Sequence, residues 1–283
     1  MSAVRRSAVA LLAVLALSAC GQVVSGEQAD GQPAVAPTDG VARDQLARRA
    51  DIVVTPPATP THIARPTRKP ASPKATERAN DATRLRTLPS GTRQVVVVKS
   101  NGFGTSTGTL QAFAKNGNSW TPAFDAMPAR LGTKGFKDSK VEGDLATPTG
   151  VYSFGGTMYG IAANPGVKYG YHRLVENDYW NENPATAGYN SFFHGADPGG
   201  ASEALWQVDP QYRYFAVINY NIPVKQATPP RGSGIFLHVM VPGRSTAGCV
   251  ALAESDLLKV LRWLDPAATP RIVMAPAAEL GRY

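Results

Sequence analysis

The stretch GIFLHVMVPGRSTAGCVAL, residues 234–252, joins a strand, a turn and a cysteine loop. Gly234 to Val241 has strand composition, with Ile235, Phe236, Leu237, Val239 and Val241 apolar or β-branched. His238 interrupts this run. Pro242-Gly243 signals a turn, and the loop returns through Ser245-Thr246-Ala247-Gly248 to Cys249. A thiol is only a few per cent ionised at neutral pH, and a nearby imidazole can raise that fraction. A Cys beside a His is therefore the raw material of thiol nucleophilic catalysis. Gly248 lacks a Cβ, so the backbone there can approach a ligand closely. The amides of Gly248 and Cys249 are expected to face a developing oxyanion.

The chain has two cysteines, Cys20 and Cys249. Residues 1–20 have the form of an export signal. Arg5 and Arg6 make a basic start, Ala8 to Leu17 is apolar but too short to span a bilayer, and Leu17-Ser18-Ala19-Cys20 resembles a bacterial lipobox. The expectation is cleavage before Cys20, lipid on its thiol, and a protein anchored to the outer face of the cell membrane, facing the wall. Arg5-Arg6 also allows twin-arginine export, which nothing around it supports. An acylated Cys20 leaves Cys249 without a partner in the chain. Such a thiol is either a small buried hydrophobe or a reactive group. Gly248, the loop setting and His238 favour the reactive alternative.

Residues 21–88 read as a linker, rich in Pro, Ala and Thr and devoid of aromatics. Such a composition cannot bury enough apolar surface to offset its ordering entropy. As a coil it would span roughly 45 Å, enough for an anchored domain to search a layer above the membrane. The folded part is expected at 89–276, with 277–283 as a tail. Gln94 to Lys99 predicts a buried strand, and Asn116-Gly117-Asn118 predicts a hairpin between Thr109–Lys115 and Ser119–Phe124. Gly150–Phe154, Tyr171–Val175, Leu205–Val208, Tyr214–Asn219 and Arg271–Ala275 predict further strands. Glu254 to Leu264 is the one convincing helix, with Leu257, Leu258, Val260, Leu261 and Leu264 on an apolar face. Pro266 follows its end. Many short strands and one amphipathic helix predict a mainly β domain, a sandwich or barrel with a packed helix. The formal charge of +8 is spread without a long Lys/Arg block, which argues against a nucleic-acid partner.

Taken together, three ordered stretches resemble the L,D-transpeptidase catalytic domain family of bacterial cell-wall enzymes. They are KVEGDLATPTGVYSF (140–154), DYWNENPATAGYNSFFH (178–194), and STAGCVAL (245–252) after IFLHV. The resemblance spans roughly residues 92–275, essentially all of the folded part. It implies a β-sandwich-like fold with one helix near the C-terminus. It also implies acyl transfer on peptidoglycan stem peptides, with no cofactor. Cys249 would attack the carbonyl between the third residue and D-Ala, D-Ala would leave, and an amine of a neighbouring stem would take the acyl group in a 3→3 cross-link. Water as acceptor would make the same site an L,D-carboxypeptidase. A non-catalytic wall-binding lipoprotein on the same scaffold is a third alternative. The resemblance makes Cys249 the nucleophile and His238 its base, fixed through the carbonyl of Val239. It further implies carbapenem-type β-lactams as covalent inhibitors.

Two departures stand out. Many members carry a second His two positions before the Cys, where this chain has Ala247, and the gap from His238 to Cys249 is shorter than usual. His194, Arg244, Ser245 and Thr246 are candidates to replace that helper, and Arg244 also to hold a substrate carboxylate. His194 is either a pocket wall or a loop residue, and His172 reads as a strand-face residue. Trp180, Tyr189 and Asn190 suit either a substrate groove or aromatic packing. Glu142 and Asp144 read as loop-fixing acids rather than an acid/base pair. A metal site built on His194, His238 and Cys249 lacks any short ligand spacing such as HExxH or CxxC, so no metal is expected.

Overall fold

The valine run at residues 95–98 is buried throughout. Its side chains alternate between two cores, as a strand's period of two dictates. Val96 and Val98 join Leu110, Leu131, Met158, Leu237 and Leu252 in the main core. Val95 and Val97 meet Ala82, Phe113, Val273 and Leu280 on the opposite face. A strand of this kind needs cover on both sides, each fully buried valine contributing about 1.5–3 kcal/mol.

The computed structural model describes residues 79–283. The expected signal, Cys20 and the linker to residue 78 lie outside the described residues. The strands are β1 (Gln94–Ser100), β2 (Thr107–Asn116), β3 (Ser119–Pro122), β4 (Met127–Arg130), β5 (Phe136–Lys137), β6 (Thr147–Pro148), β7 (Gly150–Tyr152) and β8 (Phe154–Gly160). They continue as β9 (Gly170–Arg173), β10 (Asp178–Asn181), β11 (Ser191–His194), β12 (Glu203–Ala204), β13 (Phe215–Ile218), β14 (Phe236–Val239), β15 (Val250–Leu252) and β16 (Arg271–Pro276). Eleven of them form a sheet in the order β7-β16-β1-β2-β4-β15-β14-β13-β8-β9, with β3 paired to β2. This large curled sheet and a single helix of more than one or two turns give the expected mainly β, L,D-transpeptidase-like architecture. A second sheet, β11-β10-β12, brings the middle segment together.

Most local expectations hold. β2 and β3 pair with Asn116 opposite Ser119, and Gly117 takes the positive φ of 59° that its tight turn requires. Helix α1 (Glu254–Trp263) buries Leu257, Val260 and Leu261, with Glu254 and Asp256 in its first turn, where they complement the dipole.

Three expectations are corrected. Leu205–Gln207 is a 3-10 turn, not a strand; Leu205 is fully buried but the segment is too short to alternate. The ordered part begins before residue 89. Asn80 caps a 3-10 turn at Asp81–Arg84, Ala82 is buried, and Leu85 and Leu88 pack beside it. At the other end Ala277–Arg282 is a 3-10 helix whose Leu280 is fully buried. Both segments belong to the fold because they cover the second face of β1. They are stitched to each other, with the amides of Arg86 and Thr87 donating to the Tyr283 carbonyl.

Candidate active site

The parity of β14 explains why His238 is buried. Leu237 and Val239 point into the main core, while Phe236 belongs to a second, aromatic cluster with Trp180, Tyr212, Phe215 and Cys249. His238 shares the face of Phe236 by the same period. β15 runs parallel to β14 with His238 opposite Ala251. Cys249, two residues before Ala251, thus comes to the same face. His238, Ala251 and Cys249 line one cavity of about 400 Å³.

His238 is 5% exposed, and its Nδ1 lies 2.8 Å from the Val239 carbonyl. That acceptor fixes Nδ1 as the protonated nitrogen and leaves Nε2 as the base. Burial lowers its pKa from 6.5 to about 4, only partly opposed by the Val239 carbonyl, so the ring is neutral. The Tyr212 ring stands edge-on to it, centroids 5.8 Å apart.

The thiol of Cys249 donates to the Gly234 carbonyl at 3.2 Å and accepts from the Phe236 amide at 3.3 Å. Among the described residues no hydrogen bond joins it to His238. Its pKa is pushed up, first by burial and then by the charge of Glu203, with the Phe236 amide acting the other way. In this arrangement the thiol is bonded to the backbone of Gly234 and Phe236 rather than to the imidazole. Burial thus favours the neutral form of both the thiol and the imidazole.

The loop before the thiol is held by Thr246. Its Oγ1 donates to the Cys249 carbonyl at 2.7 Å and accepts from the Gly248 amide at 3.1 Å. The Gly248 amide, expected to face an oxyanion, is thus committed within the loop. Gly248 has φ 152°, and a Cβ there would meet the Ala146 carbonyl at 2.9 Å, so no other residue fits. Gly234 has φ 59°, the left-handed region that favours glycine, and a Cβ there would displace the end of the Glu182 side chain.

Arg244, Ser245 and Thr246 also line the cavity. Ser245 Oγ lies 2.8 Å from Thr133 Oγ1. His194 does not line it: Asp178, wholly buried, takes His194 Nδ1 and His172 Nε2 on its two oxygens, each at 2.8 Å. That carboxylate holds both rings at the second sheet, so His194 replaces no helper. Trp180 is 3% exposed and packs edge-on against Phe236, a core residue rather than a groove wall. Its Nε1 donates to Asn190 Oδ1 at 3.1 Å. Asn190 is a buried hub. Its Oδ1 also accepts from the Gly234 amide, and its Nδ2 donates to the carbonyls of Tyr220 and Asn221. Tyr189 lies outside the cavity, but its hydroxyl donates to Glu142 Oε2 within it. Asp144 fixes its loop as read, accepting from Lys140 Nζ at 2.9 Å and from the amides of Val141 and Ala146.

Several cavity residues were not singled out from sequence: Lys140, Glu182, Glu203 and Tyr212. The Tyr212 hydroxyl donates to Glu203 Oε2. Burial, then neighbouring carboxylates, push the Glu182 carboxyl up; burial does the same to Glu203, opposed by the Tyr212 hydroxyl. These side chains come from separate strands and loops, so no local spacing announces them. No group of three or more His, Cys, Asp or Glu able to hold a metal occurs among the described residues.

The family model described as YkuD, the L,D-transpeptidase catalytic domain, matches residues 93–273. Among solved structures the chain is similar to Bd1075 of Bdellovibrio bacteriovorus, at 15% identity and a TM-score of 0.35, covering 70% of this chain and 55% of that one. It is also similar to the helical cell shape determining protein Pgp2 of Campylobacter jejuni, at 15% identity and a TM-score of 0.34, covering 65% and 48%. The chain spans about half the length of these proteins. No curated protein matches it. With a family match over residues 93–273 that contains His238 and Cys249, this chain belongs to the L,D-transpeptidase catalytic domain family.

Proposed function

We propose that the protein is an L,D-transpeptidase that forms 3→3 cross-links in peptidoglycan, with Cys249 as nucleophile. The observation that carries this reading is the pairing of Cys249 with a neutral His238 in one cavity, the imidazole fixed through Nδ1 and free at Nε2. The thiol leaves the Gly234 carbonyl and gives its proton to Nε2 as sulfur attacks the donor carbonyl. The proton passes to the leaving D-Ala amine, and a thioester remains. The acceptor amine attacks the thioester, loses a proton to His238, and releases the thiol. A base so placed is worth about 10²–10⁴ in rate. Carbapenem-type β-lactams would acylate the same sulfur. The lipobox-like Cys20 supports an anchor on the outer face of the membrane, with the domain reaching wall stems through its linker.

Incubation with tetrapeptide stems, analysed by mass, tests the reading. Dimers lacking one D-Ala are expected. Tripeptides alone would make the protein a carboxypeptidase, and no product together with no Cys249 adduct from a carbapenem would leave a non-catalytic scaffold.

A further inference from the structure

A second groove, of about 510 Å³, opens beside the active cavity. Thr186 and Tyr189 form one wall, and Val224, Lys225, Pro230 and Arg231 belong to the other. The two spaces share a partition. Glu142, which lines the active cavity, accepts from the Tyr189 hydroxyl and donates its amide to the Pro230 carbonyl at 2.9 Å.

Both walls are held by buried asparagines. Asn221 closes its loop, donating Nδ2 to the Gly232 carbonyl at 3.0 Å and accepting the Lys225 amide at 2.9 Å. Asn181 Nδ2 donates to Thr186 Oγ1 at 3.0 Å and to the Ala187 carbonyl at 3.1 Å. The groove is therefore preformed.

The two spaces differ in their acidic groups. Glu142, Glu182 and Glu203 line the active cavity, whereas no acidic side chain lines the groove. Lys137, Lys168 and Arg213 each pair with a carboxylate elsewhere on the surface. Among the described residues Lys225 and Arg231 form no ion pair. Two exposed cations, Lys225 and Arg231, in a groove free of acidic side chains make a receptor for carboxylate.

Resting on the transpeptidase reading, we infer that this groove is a subsite for a carboxylate of the peptide substrate, received by Lys225 and Arg231 while the reacting amide lies at Cys249. The carboxylate belongs either to the donor stem or to the acceptor stem, and the chemistry of recognition is the same.

The test is steady-state kinetics of the full chain and a Lys225→Ala/Arg231→Ala variant on stems with a free side-chain carboxylate and on their carboxamides. The double variant should raise KM for the carboxylate peptide about tenfold. Its kcat, and its KM for the amide, should stay near wild type. A rise seen when the donor is varied puts the carboxylate on the donor; a rise seen when the acceptor is varied puts it there. Wild-type KM values indifferent to amidation, or a variant that affects acid and amide alike, overturn the proposal. Iodoacetamide alkylation of Cys249 should be equal in both proteins. A wild type that alkylates but turns over no stem defeats the functional reading alone. The groove is then judged by equilibrium binding of the two peptides to Cys249→Ala chains. A preference for the acid that disappears with the two cations supports the subsite, and no preference overturns it.

Discussion

Replacing His238 by Asn separates the acid sensitivity of this ring from the rest of the protein. The Asn side-chain amide can occupy the place of Nδ1–H and still donate to the Val239 carbonyl, but it does not titrate. The native ring has its pKa lowered by burial from 6.5 to about 4. Between those values the unfolded chain binds a proton that the folded chain refuses. Stability present above pH 6.5 is thus lost as pH falls to about 4, and below that both states are protonated. At about 1.4 kcal/mol per pH unit the loss is about 3 kcal/mol. With a urea m-value of roughly 2–3 kcal/mol/M, this is a fall of about 1–2 M in the midpoint that the variant should not share. Urea titrations of both proteins at pH 7, 5.5 and 4 measure it. Native and variant midpoints that move in parallel over that range would refute the claim that a neutral, desolvated imidazole sits in this site.

Asp144 acts at lower pH: desolvation raises its pKa, but the Lys140 ammonium and the Val141 and Ala146 amides outweigh it and bring it from 3.8 to about 2. Stability present above about pH 4 should fall by about 2 kcal/mol towards pH 2, and Asp144→Asn should flatten that limb of an acid-unfolding curve. Asn190→Ala leaves the Trp180 Nε1–H, the Gly234 amide and two carbonyls without partners. A loss of about 3 kcal/mol or more, read as roughly 6–12 °C in Tm, is expected; a change within about 2 °C would show that water replaces the amide. Leu257→Ala on the buried face of α1 should cost about 2–5 kcal/mol with no change in thiol alkylation of the folded protein.

What the sequence reveals here depends on how local the signal is. The valine run, the Asn-Gly turn and the leucine stripe of α1 each lie within one element, and each is where it was expected. The segments around Ala82 and Leu280 were invisible because each offers only isolated apolar positions. Their role is to cover β1, which the Leu280 segment does from the far end of the sequence. The same division holds in the site. His238 and Cys249 stand out because a polar residue in an apolar strand and a Gly-Cys loop are local anomalies. Glu182, Glu203 and Tyr212 reach the cavity from separate segments. His194 was left open between pocket wall and loop for the converse reason. A His after two aromatics suggests a pocket wall, but the deciding contact is with Asp178 across the strand pair.

The placement of β1 has a consequence for how the sheet is completed. One of its neighbours, β2, follows directly, while the other, β16, is the last strand of the chain and lies parallel to it, Val95 opposite Arg271. Until that segment arrives, an edge built on four consecutive valines stands open to pairing with any other extended chain. Contacts of such sequence separation make folding slow, in the range of milliseconds to seconds. A chain cut short before residue 271 should therefore aggregate through its first strand rather than lose only its end.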